Sequence, residues 1–453
     1  MTKKDHQGGG PSELERLEGA LSIAKQGDDY QQLQELYPQI ANYYLQQGQA
    51  PQALTWIQEG LEVTEVEGDM LTRGRLKGLE GLAFRQIGNP KQALHAFRRS
   101  AEIGREIDHR PILMDALSQI GKLQAEQGKY DQAVLPLERA YRMAFEDNDL
   151  HRQIFLSGLQ GDTYRALEQD GKAMEFYAIG LEKAQQVGKL EPQCSYQIAI
   201  GKIYLEKEDY GPAEEHFKNA LDIGSRLKHA GYEFQAFENL LRMSIQKDDL
   251  DSAVFHGKKA VQLARDIADV GGEAKNISRL VDYLMARGKH EQALNYLNRG
   301  LELAEEAHDQ EWQLKMIADQ GIAQYYTGNL LAAEHKIDRA LEIAQHLQRG
   351  QEEAVLRSQL SSIRAEGGDF QGSLVQAEQT LQLAEDLGLD KLGADQYVLM
   401  ALNHLEMGNL SRARELVERG LEVYQNLERT DLVREAQKII TAIGEQEKLD
   451  QQA

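Results

Sequence analysis

Alanine or serine recurs every 40 residues, at Ala53, Ala93, Ala133, Ala173, Ala213, Ala253, Ala293, Ala333, Ser373 and Ala413. Five residues before each lies Gly48, Gly88, Gly128, Glu168, Glu208, Asp248, Gly288, Gly328, Gly368 or Gly408. Seven residues after each is another small residue, from Gly60, Ser100 and Ala140 on to Gly420. Ten copies in one register leave few folds open. Each copy is too small to bury its own apolar face, and only stacking of neighbours builds a core.

Within each copy apolar residues fall at helical spacing on both sides of the turn. In the second they are Leu76, Leu79, Leu82 and Phe84, then Ala93, Leu94, Phe97 and Ala101. Each repeat therefore reads as a helix A, a turn and a helix B. Leu14 to about Gln26 reads as a half repeat, and Asp431 to about Gly444 as a last helix closing the array. The expected organisation is a flexible tail at 1–11, one solenoid over 12–447 and a frayed end at 448–453. Pro51, Pro90, Pro111, Pro192 and Pro212 fall at or near helix first turns, where a missing N–H costs least. Pro38 and Pro136 fall inside expected helices and predict kinks or late starts.

Helix A carries its own small position at Ala41, Gly81, Gly121, Gly161, Gly201, Gly321, Ser361 and Ala401. A glycine inside a helix costs about 0.5–1 kcal/mol against alanine. Repeating that cost predicts close backbone approach at each crossing. Leu241 and Val281 break the pattern, so repeats six and seven are expected to pack less closely.

A net charge of −22 argues against a nucleic-acid backbone or an anionic membrane as partner, since both reward a basic surface. One cysteine, Cys194, rules out an intrachain disulfide and a cysteine-based metal cluster, and it reads as a small buried hydrophobe. The first residues lack the apolar run of a secretory signal, and no stretch nears the roughly 20 apolar residues of a membrane span. The expectation is a soluble, cytoplasmic protein.

The repeat resembles the tetratricopeptide repeat. That family places a glycine on helix A, an aromatic three residues on, a turn glycine seven on, an aromatic or leucine two later and an alanine three later. Gly201-Lys-Ile-Tyr204, Tyr210-Gly-Pro-Ala213, Phe217 and Ala220 follow it, as do Gly121, Gly128, Tyr130 and Ala133. The 40-residue period is similar to that of kinesin light chains and Pins/LGN-type adaptors. HEAT and armadillo repeats also run near 40 but lack this glycine–aromatic–alanine turn. The resemblance implies an all-α, right-handed superhelical solenoid of about ten repeats, with helix A lining a concave groove that binds peptides.

No phosphate loop, nucleophile elbow or His-Glu-x-x-His motif is present, so no catalytic residue, cofactor or metal site is assigned. His216 and His256 share one phase on successive B helices and read as a solvated pair. Reading helix A at its groove offsets gives Glu35, Asn42, Arg75, Leu82, Arg85, Asp115, Lys122, Phe155 and Asp162 among the early repeats. In the middle it gives Arg165, Lys202, Asn239, Arg242, Lys275, Arg279 and Lys315. Three of these, Asn239, Lys275 and Arg279, resemble positions of the two-carboxylate clamp in heat-shock co-chaperone repeats. The fifth repeat departs, with Ile198 in place of the clamp lysine and Lys202 in place of its asparagine. The expected function is a non-enzymatic adaptor holding an extended or helical partner segment, with an acidic or carboxylate-bearing peptide at these cations. The plainer reading pairs the cations with Asp162, Asp282 and Asp319. Two other readings are a peptide-responsive regulator resembling the Rap family and a self-associating assembly factor; nothing in the sequence indicates homo-oligomerisation.

Overall fold

In the computed structural model, which describes residues 13–452, the secondary structure is helical throughout: 22 helices and no strand among the described residues. It is an all-α repeat solenoid. The expected tail at 1–11 lies outside the described residues. Most helices are 17 residues long and most links are three, so a turn falls every 20 residues and a hairpin every 40.

The link between α4 (Met70–Gln86) and α5 (Pro90–Glu106) shows why three residues suffice. Gly88 takes a left-handed conformation at φ 80°. This lets the Asn89 N–H reach back to the Phe84 carbonyl at 2.8 Å and close the end of α4. The Asn89 side chain then accepts the Gln92 N–H at 3.2 Å and opens α5, with Pro90 in its first turn. The turns from B to the next A use the same left-handed residue, at Asp108, Asn148 and Ala268 for example. The 40-residue period is thus two turns of one kind, a regularity hidden in the sequence because many of these residues are not glycine. Pro38 and Pro136 lie within unbroken helices, α2 (Tyr30–Gln46) and α7 (Tyr130–Glu146), with no late start.

The chain divides into two compact bodies, 1–239 and 240–453. The first opens on α1 (Glu13–Gln26), whose Leu21 and Ala24 are buried in the first apolar cluster. The second closes on α22 (Thr430–Gln452), which runs past the expected end at Gly444. Arg414 pairs with Glu447 at 2.6 Å and ties that extra turn down.

The small residues have a more specific use than backbone approach. A Cβ built on Gly121 would lie 2.5 Å from Leu137 Cγ, on Gly201 2.7 Å from Phe217 Cε1, and on Gly321 2.6 Å from Ile337 Cδ1. The same sixteen-residue offset serves the crossing from B to the next A: Gly180 faces Tyr196 and Gly300 faces Met316, each at 2.6 Å. Each glycine is a hole for one large side chain sixteen residues on. In repeat six the two sizes are exchanged, Leu241 standing across from Gly257. In repeat seven the corresponding residues, Val281 and Leu297, are both large and both fully buried, and α14 (Val270–Ala286) and α15 (His290–Glu306) make a thinner contact than α4 and α5 do.

In the first body α2, α4, α6 (Arg110–Glu126) and α8 (Leu150–Ala166) touch in succession. In the second, α16 (Gln310–Tyr326), α18 (Gly350–Glu366) and α20 (Asp390–Glu406) do so. Among the described residues no two B helices come as close in either body. Over these two stretches the A helices form one face, and side chains at one phase of successive A helices become neighbours there; α10, α12 and α14 are not part of either succession.

Candidate functional site

On the A-helix face of the first body lies a cavity of about 520 Å3, set among α2, α4, α6 and α8 with Phe97 and Ser100 of α5 beneath. Leu79, Leu82, Ile112, Ala116 and Phe155 supply apolar wall, and Arg75, Asp115 and Arg152 charged rim. Arg75, Leu82, Asp115 and Phe155 are residues that the groove offsets single out in the sequence. Arg152 binds Asp115 at 3.1 Å and Asp149 at 2.7 Å, so both carboxylates there are engaged. Asp149 also caps α8 by accepting the Arg152 N–H; burial raises its carboxyl, but these bonds outweigh burial and hold it below the usual value.

The cations expected in the middle of the chain are divided between the two bodies. Arg165 on α8 pairs with Glu206, while Asp162, which the sequence offers as its partner, accepts a hydrogen bond from Tyr177 at 2.6 Å. Burial, aided by that carboxylate, pushes the Tyr177 phenol far above its ordinary value. Lys202 is half-buried on α10 (Leu190–Glu206). Asn239, on α12 (Ala230–Gln246), is 2% exposed and donates to the Gln235 carbonyl at 2.7 Å. Its amide thus serves the helix, a role that sequence spacing does not separate from groove binding.

In the second body Arg242 is half-buried on α12, and Lys275 is exposed on α14. Arg279, half-buried one turn on, donates to Asn276 Oδ1 at 3.4 Å. Lys315 on α16 lies 2.6 Å from Asp282 and 2.9 Å from Asp319. Burial pulls the Lys315 ammonium down, yet the two carboxylates outweigh it and hold it above the usual lysine value. Burial raises the Asp319 carboxyl, against the pull of Lys315. The Lys315 pairs match the plainer reading, whereas Arg165 pairs with Glu206 and not with Asp162.

The histidines each have a local partner. His216 shares a hydrogen bond with Gln197 at 2.5 Å, and His256 with Ser244 at 2.9 Å. Among the described residues no group of three or more His, Cys, Asp or Glu could hold a metal ion. Cys194 is fully buried and reaches the Ala220 carbonyl at 3.3 Å; burial pushes its thiol up to about 11, so it is an inert packing residue. No described helix is long and apolar enough to cross a membrane.

The tetratricopeptide repeat family model matches residues 72–144, which run from α4 into α7. The helices, turns and glycine holes of that stretch recur along the described chain. The chain carries tetratricopeptide repeats over this stretch. Outer dynein arm-docking complex subunit 4 of Bos taurus is 27% identical over 171 residues, covering 37% of this chain and 24% of that protein. The chain thus spans a quarter to a third of the length of the curated relatives it matches, 24% to 31%. Among solved structures, a signal transduction ATPase with numerous domains and a tetratricopeptide repeat sensor, from Pyrococcus horikoshii, is 14% identical with a TM-score of 0.46; the match covers 76% of this chain and 55% of that one. A putative kinesin light chain of Podosopora anserina, with nearly identical tetratricopeptide-like repeats, is 15% identical with a TM-score of 0.37, covering 44% of this chain and 98% of that one. Tetratricopeptide repeats are protein-interaction modules, and the A-helix face is where this array offers side chains from several repeats at once.

Proposed function

We propose that this chain is an adaptor without catalytic activity that holds a segment of a partner protein along its A-helix face. The observation that carries the reading is the succession of touching A helices in each body, which sets one phase of several repeats side by side. A rigid, preformed surface of this kind spares the receptor the entropy of ordering. That a relative bears the name of a docking-complex subunit is in keeping with it.

The finer reading is that Arg165 and Lys202 in the first body, and Arg242, Lys275, Arg279 and Lys315 in the second, attract an acidic or carboxylate-bearing peptide; Asn239, buried with its amide on the Gln235 carbonyl, is left out of it. Its support is that these cations all fall at groove offsets of A helices, in a chain with net charge −22. The test is fluorescence anisotropy with a labelled glutamate-rich peptide ending in a free carboxylate. The Lys275→Glu/Arg279→Glu variant is expected to bind about tenfold more weakly or worse, roughly 1.4 kcal/mol. Unchanged affinity rejects the cationic site.

A further inference from the structure

Helix α4 carries three glycines, and packing explains two of them. A Cβ on Gly74 would meet Ile103 at 3.1 Å, and one on Gly81 would run into the Phe97 ring. Gly78 is different: its nearest neighbour would be Ser100 Oγ at an ordinary 3.5 Å, so nothing in the core requires a glycine there. Its backbone lines the 520 Å3 cavity, which a side chain at that position would fill.

The floor around it is apolar in effect. Ser100 donates to the Gly74 carbonyl at 2.8 Å and Ser118 to the Met114 carbonyl at 2.7 Å, so neither hydroxyl is left seeking a partner. Leu79 and Leu82 are half-buried, and Phe155 is 46% exposed at the edge. Gln39, Asn42 and Gln119 also line the cavity and give water partners there, while an apolar group over Gly78, among Leu79, Leu82, Ile112 and Phe155, gains contacts on several sides.

The rim supplies the second half of the recognition. Asp115 is neutralised by Arg152. Arg75 is exposed and, among the described residues, has no ion-pair or hydrogen-bond partner; Glu35, one repeat earlier, makes no ion pair with it. The lining therefore carries one uncompensated positive charge in a strongly acidic chain.

We infer that this cavity is the anchor subsite for an acidic peptide segment: one large apolar side chain, leucine or aromatic, enters over Gly78, and an adjacent carboxylate pairs with Arg75. The inference rests on the reading that a partner segment lies along the A-helix face. It lies within the first body and does not depend on Lys275 or Arg279.

The test uses two labelled 12-residue glycine/serine/aspartate peptides that differ only in a central phenylalanine or alanine. The expected result is about tenfold or more tighter binding of the phenylalanine peptide, as burial of one large apolar side chain gives. Gly78→Leu fills the space and is expected to erase that preference while keeping its helical circular dichroism. Phe155→Ala, a change at an exposed position, is expected to weaken it. Arg75→Gln is expected to reduce binding of the aspartate peptide to that of its asparagine counterpart. Equal binding of the two peptides, or a preference that survives in Gly78→Leu and Phe155→Ala alike, overturns the inference. So does free indole binding as tightly as the peptide, which assigns the cavity to a small molecule. Lys275→Glu/Arg279→Glu separates the two sites: a preference intact in that variant supports the anchor whatever becomes of the cationic reading, and its loss there overturns the anchor.

Discussion

Gly201 is the hole and Phe217 the plug: a methyl group on Gly201 would lie 2.7 Å from the Phe217 ring, whose side chain is fully buried. The same relation, sixteen residues apart, joins helix A to helix B at Gly81, Gly121, Gly161 and Gly321 as well. Gly201→Ala is expected to destabilise by about 1–2 kcal/mol, because overpacking outweighs the gain in helix propensity. Gly78→Ala, where space is open, is expected to stabilise by about 0.5–1 kcal/mol. Denaturant midpoints followed by circular dichroism check both, and equal effects would contradict the lock.

Three A-to-B turns use a side chain where the others use glycine. Glu168 and Glu208 sit at φ 58° and Asp248 at φ 59°. A left-handed conformation costs an ordinary residue about 1–2 kcal/mol. Part of that gain is returned by the freer unfolded chain. Glu168→Gly is expected to stabilise by about 0.5–1 kcal/mol, read as a raised thermal midpoint. A lowered midpoint would show that the carboxylate has a compensating contact.

Glu273 is buried between two arginines, Arg265 and Arg299, each at 2.8 Å. Burial alone would raise its carboxyl, but the arginine bonds outweigh burial and hold it below the usual value. A lowered folded value stabilises at pH above the unfolded carboxylate value of about 4.3, and this is lost as pH falls through the folded value. Glu273→Gln is expected to cost about 2 kcal/mol at pH 7, reduced from the fully buried case because both arginines are partly exposed. The gap between variant and wild type should shrink below about pH 4. A gap independent of pH would assign the loss to packing.

Much of the fold is legible in the sequence because a repeat writes its constraints ten times. The turn, the two helices and the small positions all stand in phase. The exchange of Leu241 and Gly257 is legible too, but only once the sixteen-residue partner is known; taken singly, Leu241 looks like a defect. The site is less legible. Spacing places Arg75, Leu82, Asp115 and Phe155 on one face, yet the cavity they border depends on the small residues Gly78, Ser100 and Ser118, from three helices. Spacing also cannot tell whether Asn239 turns its amide outward or, as here, to the Gln235 carbonyl. The partners of Arg165 and Lys315 depend on side-chain reach between helices, which periodicity does not encode.

The most direct test of the central claim asks which face of the first body a bound segment touches. A photoreactive benzoyl-phenylalanine is placed at Gln39, which lines the cavity, or at Arg98, exposed on α5. Each protein is irradiated with the aspartate–phenylalanine peptide. The expected result is a covalent adduct from position 39 and none from position 98; an adduct mainly from position 98 would contradict the account.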